Sequence, residues 1–239
     1  MTDPVRLSVL IPVFNEISTL RLVVERVRAT QQAAQIIVID DGSTDGTGAL
    51  IGNLVRETLI DIAVSNDTNR GKGFSVRRGA THATGDVLIV QDADLEYDPA
   101  DYDSLLRPIR HGNADAVFGS RFLGGNHRVV YFWHMVGNRF LTLLSNVFTN
   151  LNLTDMETGY KAVRVPLFQS LSLTSNRFGF EPELTARLAQ AKARIWEVPI
   201  SYSARTYEEG KKIDWKDGVA AIWHILRSNL LVVRPAKPA

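Results

Sequence analysis

The sequence predicts an α/β fold: a single domain with a mainly parallel central sheet flanked by helices, and amphipathic helices in its C-terminal half. Three observations carry that expectation. Short aliphatic, β-branched runs alternate with segments whose apolar residues recur at helical spacing, the pattern of βαβ units. Acidic and Gly-containing turns follow several of those runs, where ligands of parallel sheets bind. At 239 residues, 45% hydrophobic and 22% charged, the chain has an ordinary globular composition and enough length to bury a real core.

In chain order, Leu7–Val13 reads as a buried strand, and Leu20, Val23, Val24 and Val27 form one helical stripe after it. Residues 36–39 are the next strand, ended by Asp40-Asp41-Gly42-Ser43, and Leu50, Ile51, Leu54 and Val55 mark the helix beyond. Residues 62–64, 87–90 and 116–118 read as three further strands with helical stretches between them. The second half is less regular. A Gly-rich loop at 119–126 precedes a long helix over 131–151, striped by Trp133, Val136, Phe140, Leu144, Val147 and Leu151. A short strand is expected near 161–165, a helix from Glu181, and a strand over 195–202. A basic loop at 205–212 then leads into a last helix bearing Val219, Ile222, Trp223, Leu226, Leu230 and Val233. One domain over 1–233 is expected, its halves meeting near residue 120, with a flexible tail at 234–239.

The net charge of +1 argues against a general nucleic-acid binder. Yet residues 1–120 hold 11 basic and 17 acidic side chains, and residues 121–239 hold 16 and 9, so two chemically different halves need explaining. With no cysteine, disulfides, thiolate catalysis and Cys-bound zinc are excluded, in keeping with a reducing cytoplasm. The N-terminus shows no secretory pattern. The most apolar stretch, 219–233, is broken by His224, Arg227, Ser228 and Asn229, too polar for a spanning helix.

Three strings carry chemistry. Asp92-Ala93-Asp94, with Glu96 beyond, sets carboxylates two residues apart after a strand; such hard oxygens suit Mg²⁺ or Mn²⁺ beside phosphate, or they form a solvated acidic loop. The Asp40–Thr47 string supplies helix caps and also acids placed to accept hydrogen bonds from a nucleoside. Asn69-Arg70-Gly71-Lys72-Gly73 opens a helix where backbone N–H groups and two cations can meet a diphosphate, or it is a plain turn. Asn66-Asp67 falls at a neighbouring strand end.

Together with Ile11-Pro12-Val13-Phe14-Asn15-Glu16, these strings resemble, in order and spacing, the family 2 glycosyltransferases of GT-A fold. The second half narrows the likeness. Gly119-Ser120-Arg121, Asn138-Arg139, Asp155-Met156-Glu157-Thr158-Gly159-Tyr160-Lys161, Phe178-Gly179-Phe180-Glu181-Pro182-Glu183 and the Arg205 to Ile213 segment look like the dolichol-phosphate mannosyltransferase group and its bacterial polyprenyl-phosphate relatives. The likeness spans roughly 7–218. The sequence departs from the group at Thr158-Gly159-Tyr160-Lys161, where Ser-Gly-Phe-Arg is common; a cation is kept and the guanidinium fork lost. A C-terminal transmembrane region, which some members carry and others lack, is not expected from this sequence.

The resemblance implies an inverting hexosyl transfer from GDP-mannose or a UDP-sugar to a polyprenyl (dolichyl-type) phosphate. Pro12, Val13, Asn15, Glu16, Asp41, Asp67, Arg70, Lys72, Asp92, Ala93, Arg205 and Lys211 would meet the nucleotide sugar. Asp92, Asp94 and Glu96 would hold Mg²⁺ or Mn²⁺. Ser120, Arg121, Asn138, Arg139 and Lys212 would meet the acceptor phosphate, with Asp94, Arg121, Arg139 and Arg205 nearest the chemistry. A phosphate monoester is already largely ionised near neutral pH, so it needs cations and no general base. The apolar stripes suit interfacial helices on a cytoplasmic membrane face or packing against the sheet, and a membrane-anchored partner subunit is a further expectation. Two rivals stand: a hydroxyl acceptor, with Glu181 or Glu183 as base, and a non-catalytic nucleotide-sugar binder.

Overall fold

The computed structural model describes residues 5–124, 128–129, 131–177, 179–205 and 215–231. Its centre is β1 (Leu7–Val13), paired in parallel with β2 (Ala33–Asp40) on one side and β4 (Val87–Val90) on the other. With β3 (Ile62–Ser65), β5 (Ala116–Ser120), β6 (Lys161–Arg164) and β7 (Ile195–Pro199), the seven-stranded order is β3-β2-β1-β4-β6-β5-β7. Only β6 runs antiparallel to its neighbours. The register gives the reason: Phe118 pairs with Lys161 and Ala116 with Val163. The excursion between β5 and β6 therefore leaves and re-enters at one edge of the sheet, and the returning strand must run back down. That edge is the one where β1, β2 and β4 end.

Period-two alternation divides the core. Leu7, Val9, Ile11 and Val13 of β1 join one apolar cluster, covered by α1 (Leu20–Ala29), α2 (Thr47–Arg56) and α4 (Tyr102–Arg110). Leu10 faces the other cluster, under α3 (Lys72–Ala80), α6 (Val165–Ser170) and α7 (Phe180–Gln190). Each such fully buried aliphatic side chain is worth roughly 1.5–3 kcal/mol relative to exposure. The strand expected over 195–202 stops at Pro199, and Tyr202 makes an isolated bridge to Tyr97. The short α6 was not foreseen; six residues are too few for a periodic signal.

The long helix expected over 131–151 is α5 (Phe132–Thr149), and its apolar stripe points away from the core. Trp133 is 78% exposed, Val147 70% and Phe140 54%, while Thr142 and Ser145 are buried. Leu144 and Leu151 alone of the stripe lean on the second cluster. The inner face is used for hydrogen bonding. Thr142 Oγ1 accepts from Met156 N at 3.1 Å, and Asn146 closes two bonds on Leu153, at 2.8 and 3.1 Å. The last helix, α8 (Trp215–Leu230), behaves alike: Ala221, Ile225 and Ser228 are buried, and Trp223 and Leu230 are exposed. The side chain of Val219, together with Val233 and the tail at 234–239, lies outside what the structure describes. Among the described residues, no helix is long and apolar enough to cross a membrane.

Candidate active site

The carboxyl ends of β1, β2 and β4 bring the motif strings together. At the end of β1, Pro12 and Val13 lead into Asn15, whose φ of 55° lies in the left-handed region that Asn tolerates. That turn is clamped to the one after β2: Asn15 N donates to Ser43 Oγ at 2.9 Å, and Thr44 N donates to Asn15 Oδ1 at 2.8 Å. Asp41 is buried, and its oxygens are largely engaged by the chain itself. Oδ1 accepts from Asn66 Nδ2 at 2.7 Å and Arg70 N at 3.0 Å, and Oδ2 from Gly71 N at 2.7 Å. Expected to frame a nucleoside, Asp41 thus also shapes the Asn69–Gly73 turn. Gly71, at φ 97°, abuts the Asn176 carbonyl so closely that a Cβ has no room. Asp67 and Arg70 lie exposed at the rim, the Arg70 guanidinium 3.6 Å from the Phe74 ring centre.

Both acids of the Asp92-Ala93-Asp94 string have cationic partners. Lys72 Nζ sits 2.7 Å from Asp92 Oδ1 and 3.1 Å from Glu181 Oε1. Burial works against the Lys72 charge, but Asp92 and Glu181 outweigh it and raise its pKa. Arg205 Nη2 donates to Asp94 Oδ2 at 2.9 Å, and the same guanidinium lies 3.7 Å from Glu16 Oε1 and from Glu96 Oε1. Burial, then the neighbouring Asp92 and Glu96 charges, push the Asp94 carboxyl up to about 7. Leu95, at φ 64°, makes the turn between Asp94 and Glu96. Glu96 accepts from Tyr202 Oη at 2.9 Å and from Arg205 N at 2.8 Å, so both its oxygens have protein donors. Among the described residues, no three carboxylates or histidines converge as a ready-made metal cage. Gly159 explains how Asp92 fits: a Cβ there would lie 2.6 Å from Asp92 Oδ2.

Beyond the end of β5, Arg121 is held rather than loose. Nε and Nη2 donate to Asp155 at 2.6 and 2.7 Å, and its backbone N at 3.0 Å. Asn138, from α5, donates to Asp155 Oδ1 at 3.3 Å and accepts from Arg121 Nη2 at 2.6 Å. Asp155 is fully buried and the Arg121 side chain only 14% exposed. Burial opposes its charge, yet Tyr97 and Asp155 carry the guanidinium well above its ordinary value. Ser120 is buried, hydrogen-bonded to Thr154 at 2.6 Å, which makes it a support of the β5 end. Arg139 is exposed, 5.6 Å from the Phe122 ring. Lys211 and Lys212 lie outside the described residues.

Four groups here were not singled out as site residues. Asp155 orients Arg121, as above. Tyr97 accepts from Gly159 N at 2.9 Å, stacks on Tyr160 at 4.7 Å, and is pushed up to about 12, chiefly by burial. Glu157 has a buried oxygen with no hydrogen-bond partner, and burial followed by the Glu181 charge raises it to about 8. Lys161 lies fully enclosed 4.9 Å from the Phe118 ring and is lowered by burial to about 8. All but Tyr97 stand in the Asp155 to Lys161 string already quoted for the resemblance, and three charged residues within those seven positions were the available signal. Glu181 and Glu183, the alternative bases, are both occupied: Glu181 by Lys72, and Glu183 by Ser175 N at 2.7 Å and Thr174 N at 2.9 Å.

Comparison with known proteins agrees with this geometry. The family model described as Glycosyl transferase family 2 matches residues 8–172. The undecaprenyl-phosphate mannosyltransferase of Micrococcus luteus is 30% identical over 247 residues, covering 94% of this chain and 99% of that protein. The polyprenol monophosphomannose synthase of Mycolicibacterium smegmatis is 30% identical over 213 residues, covering 84% and 78%. In fold, the chain is similar to glucosyl-3-phosphoglycerate synthase of Mycobacterium tuberculosis, solved with Mn²⁺, UDP and glucosyl-3-phosphoglycerate, at a TM-score of 0.73 and 19% identity, over 94% of this chain and 80% of that one. From the matched motifs, the sheet order and these likenesses together, the chain belongs to glycosyl transferase family 2 and is a glycosyltransferase.

Proposed function

We propose that the protein transfers a hexose, mannose by likeness to its relatives, from a nucleoside diphosphate sugar to a polyprenyl phosphate at a membrane surface. The observation that carries this reading is a juxtaposition. Arg139 is exposed on α5 and Arg121 bonds to Asn138 of the same helix, whose outward face presents Phe132, Trp133, Val136, Phe140, Leu143 and Val147 to solvent. Cations at the foot of an unusually apolar surface suit an acceptor with an anionic head and a hydrocarbon tail.

The mechanism follows from charge placement. An oxygen of the acceptor phosphate attacks the anomeric carbon, and the bond from that carbon to the diphosphate oxygen breaks with its electron pair leaving on the diphosphate. Configuration inverts. The acceptor is already ionised, so no residue need remove a proton, in keeping with the occupied state of Glu181 and Glu183. Arg121 and Arg139 offset repulsion between acceptor and donor phosphates. Lys72 and Arg205 face the leaving diphosphate, where negative charge develops.

The donor set fits a divalent cation, Mg²⁺ or Mn²⁺. Glu16, Asp92, Asp94, Glu96 and Glu181 are five carboxylates against the two cations Lys72 and Arg205, and hard oxygens are what such ions take. Asp92 and Asp94 would hold it, with Glu96 adjacent; when bound, the ion supplies further charge stabilisation to the leaving diphosphate. Peripheral attachment through α5 and α8 on the cytoplasmic face of a membrane completes the reading.

A donor-by-acceptor screen tests it, with GDP- and UDP-sugars against polyprenyl phosphate and hydroxyl acceptors, in Mg²⁺ and in Mn²⁺. Product on polyprenyl phosphate, abolished in Asp94→Asn, is expected. Product on a hydroxyl sugar alone would overturn the acceptor, and nucleotide-sugar binding without turnover would favour the non-catalytic reading.

A further inference from the structure

Arg205 occupies an unusual place. It comes from the basic half of the chain, yet its guanidinium reaches carboxylates from two loops of the acidic half: Asp94 at 2.9 Å, and Glu16 and Glu96 at 3.7 Å each. Its backbone N–H fixes the approach, donating to Glu96 Oε1 at 2.8 Å. The side chain is largely enclosed, 22% exposed, and its Nε is buried with no hydrogen-bond partner. A guanidinium that served only to hold these carboxylates together would use its planar fork bidentately, as Arg121 does on Asp155. Arg205 instead makes one good bond and leaves a buried donor unsatisfied, an arrangement that is costly to keep and that an incoming anion would relieve.

From this geometry we infer that Arg205 is an internal counter-ion that makes cation binding at Asp94 conditional on the nucleotide. The inference rests on the reading that Asp92 and Asp94 hold the divalent cation. While the guanidinium neutralises Asp94, Glu96 and Glu16, a divalent ion must compete with it for the same carboxylates. A nucleoside diphosphate offers the guanidinium better acceptors: two phosphates, in place of one short carboxylate contact and two long ones. Once Arg205 turns to the diphosphate, the carboxylates are released to the ion, and the ion in turn neutralises the phosphates. Cation and nucleotide therefore bind with positive coupling, reciprocal by linkage, and Arg205 carries that coupling. Lys72 makes the matching contact at Asp92 through two short contacts, 2.7 Å to Asp92 and 3.1 Å to Glu181. Arg205 has one short contact and two long ones, so it is the readier of the two to turn.

The test is Mn²⁺ binding, read by the electron paramagnetic resonance signal of free Mn²⁺ and by calorimetry, without any turnover. Wild type, Arg205→Gln, Arg205→Lys and Asp94→Asn are compared, each alone and with saturating GDP or UDP. For wild type the nucleotide should tighten Mn²⁺ binding by a factor within the roughly 5–150-fold range of coupled sites. Arg205→Gln should bind Mn²⁺ alone about tenfold tighter than wild type and lose most of the nucleotide enhancement. Arg205→Lys keeps a charge without the fork and should fall between the two. The proposal is overturned if Arg205→Gln binds Mn²⁺ alone no tighter than wild type, or if its nucleotide enhancement is undiminished. Asp94→Asn separates this failure from a failure of the underlying reading: Mn²⁺ binding unchanged in that variant would remove the cation site itself. Melting curves on each variant establish that the folded protein is what is titrated.

Discussion

Replacing Asp155 by Ala should be the most damaging single change outside the hydrophobic core. The substitution removes three hydrogen bonds to Arg121 and one from Asn138, and leaves a guanidinium that is 14% exposed without its counter-charge. Breaking a buried pair from one side costs about 3–5 kcal/mol, because the surviving charge stays buried. For a domain of this size each kcal/mol moves the melting temperature by about 2–4 °C, so the midpoint should fall by roughly 6–20 °C. Removing both charges with Arg121→Met and Asp155→Ala leaves no orphaned ion, and that double variant should be more stable than Asp155→Ala alone. Thermal and urea unfolding of wild type, both single variants and the double measure the cycle. If Asp155→Ala cost under about 1 kcal/mol, or the double variant were worse than the single by the full additive amount, the claim that Arg121 is a captive charge would be wrong.

Other expectations are quicker to state. Gly159→Ala should cut turnover by up to about 10²-fold, since its Cβ would lie 2.6 Å from Asp92 Oδ2 and an ångström of misplacement costs on that order; kinetics matching wild type would contradict it. Trp133→Glu with Phe140→Glu should leave unfolding free energy within about 0.5 kcal/mol, both residues being exposed, while liposome flotation is lost; unchanged flotation would remove α5 as the membrane face. Glu183→Gln should lower stability through its bonds to Thr174 and Ser175 yet keep turnover per folded molecule, and a 10²-fold loss of turnover at unchanged stability would instead mark a general base. Hydrogen bonding from Arg194, against burial, holds the Asp115 carboxyl at about 2. A depressed acid stabilises the fold above its ordinary value near 4 and loses that contribution as pH falls toward 2. Arg194 is 56% exposed, so screening keeps the effect to about 1 kcal/mol or less. Asp115→Asn should therefore differ from wild type near neutrality and converge with it in acid; a constant offset down to pH 2 would refute the assignment.

Much of the sheet was legible because its strands are short apolar runs ended by turn chemistry. Leu7–Val13 was read to the residue, and the acidic strings fall where β1, β2 and β4 end. The antiparallel β6 was not legible as such, since direction depends on where the excursion from 121 to 160 returns, and nothing local in Lys161–Arg164 encodes it. The outward face of α5 shows a second limit. Periodicity says that Trp133, Val136, Phe140 and Val147 share a face, but whether that face meets core or solvent is decided by the partner. Here Thr142, Asn146 and Asn138 bind the loop carrying Asp155, which commits the polar side inward. Within the site, residue types were legible and their pairings were not. Asp41 and Lys72 look free in the sequence, and each is engaged by groups brought from 25 or more positions away, Asn66 and Gly71 for one and Glu181 for the other.

The opposite charges of the two halves take on a physical meaning at that site. A basic excess after residue 120 suggests a separate basic surface, facing phosphates or lipid while the acids hold a cation elsewhere. The contacts show a more intimate arrangement. Arg205 from the basic half closes on Glu16, Asp94 and Glu96 of the acidic half, and Glu181 from the basic half closes on Lys72 of the acidic half. The halves are thus interlocked by exchanged ions beyond the carboxyl ends of the central strands, where the proposed donor site lies. Ion pairs exchanged in this way stabilise the site while no ligand is bound and are open to substitution when a diphosphate and a divalent cation arrive together, one matching the cations and the other the carboxylates. A ligand bearing only one of those charges can satisfy only one side and must leave the other half of each pair uncompensated in a partly buried site. On the proposed reading, the charge split would favour a nucleoside diphosphate sugar arriving with its cation over either alone, through the residues proposed to stabilise the leaving group.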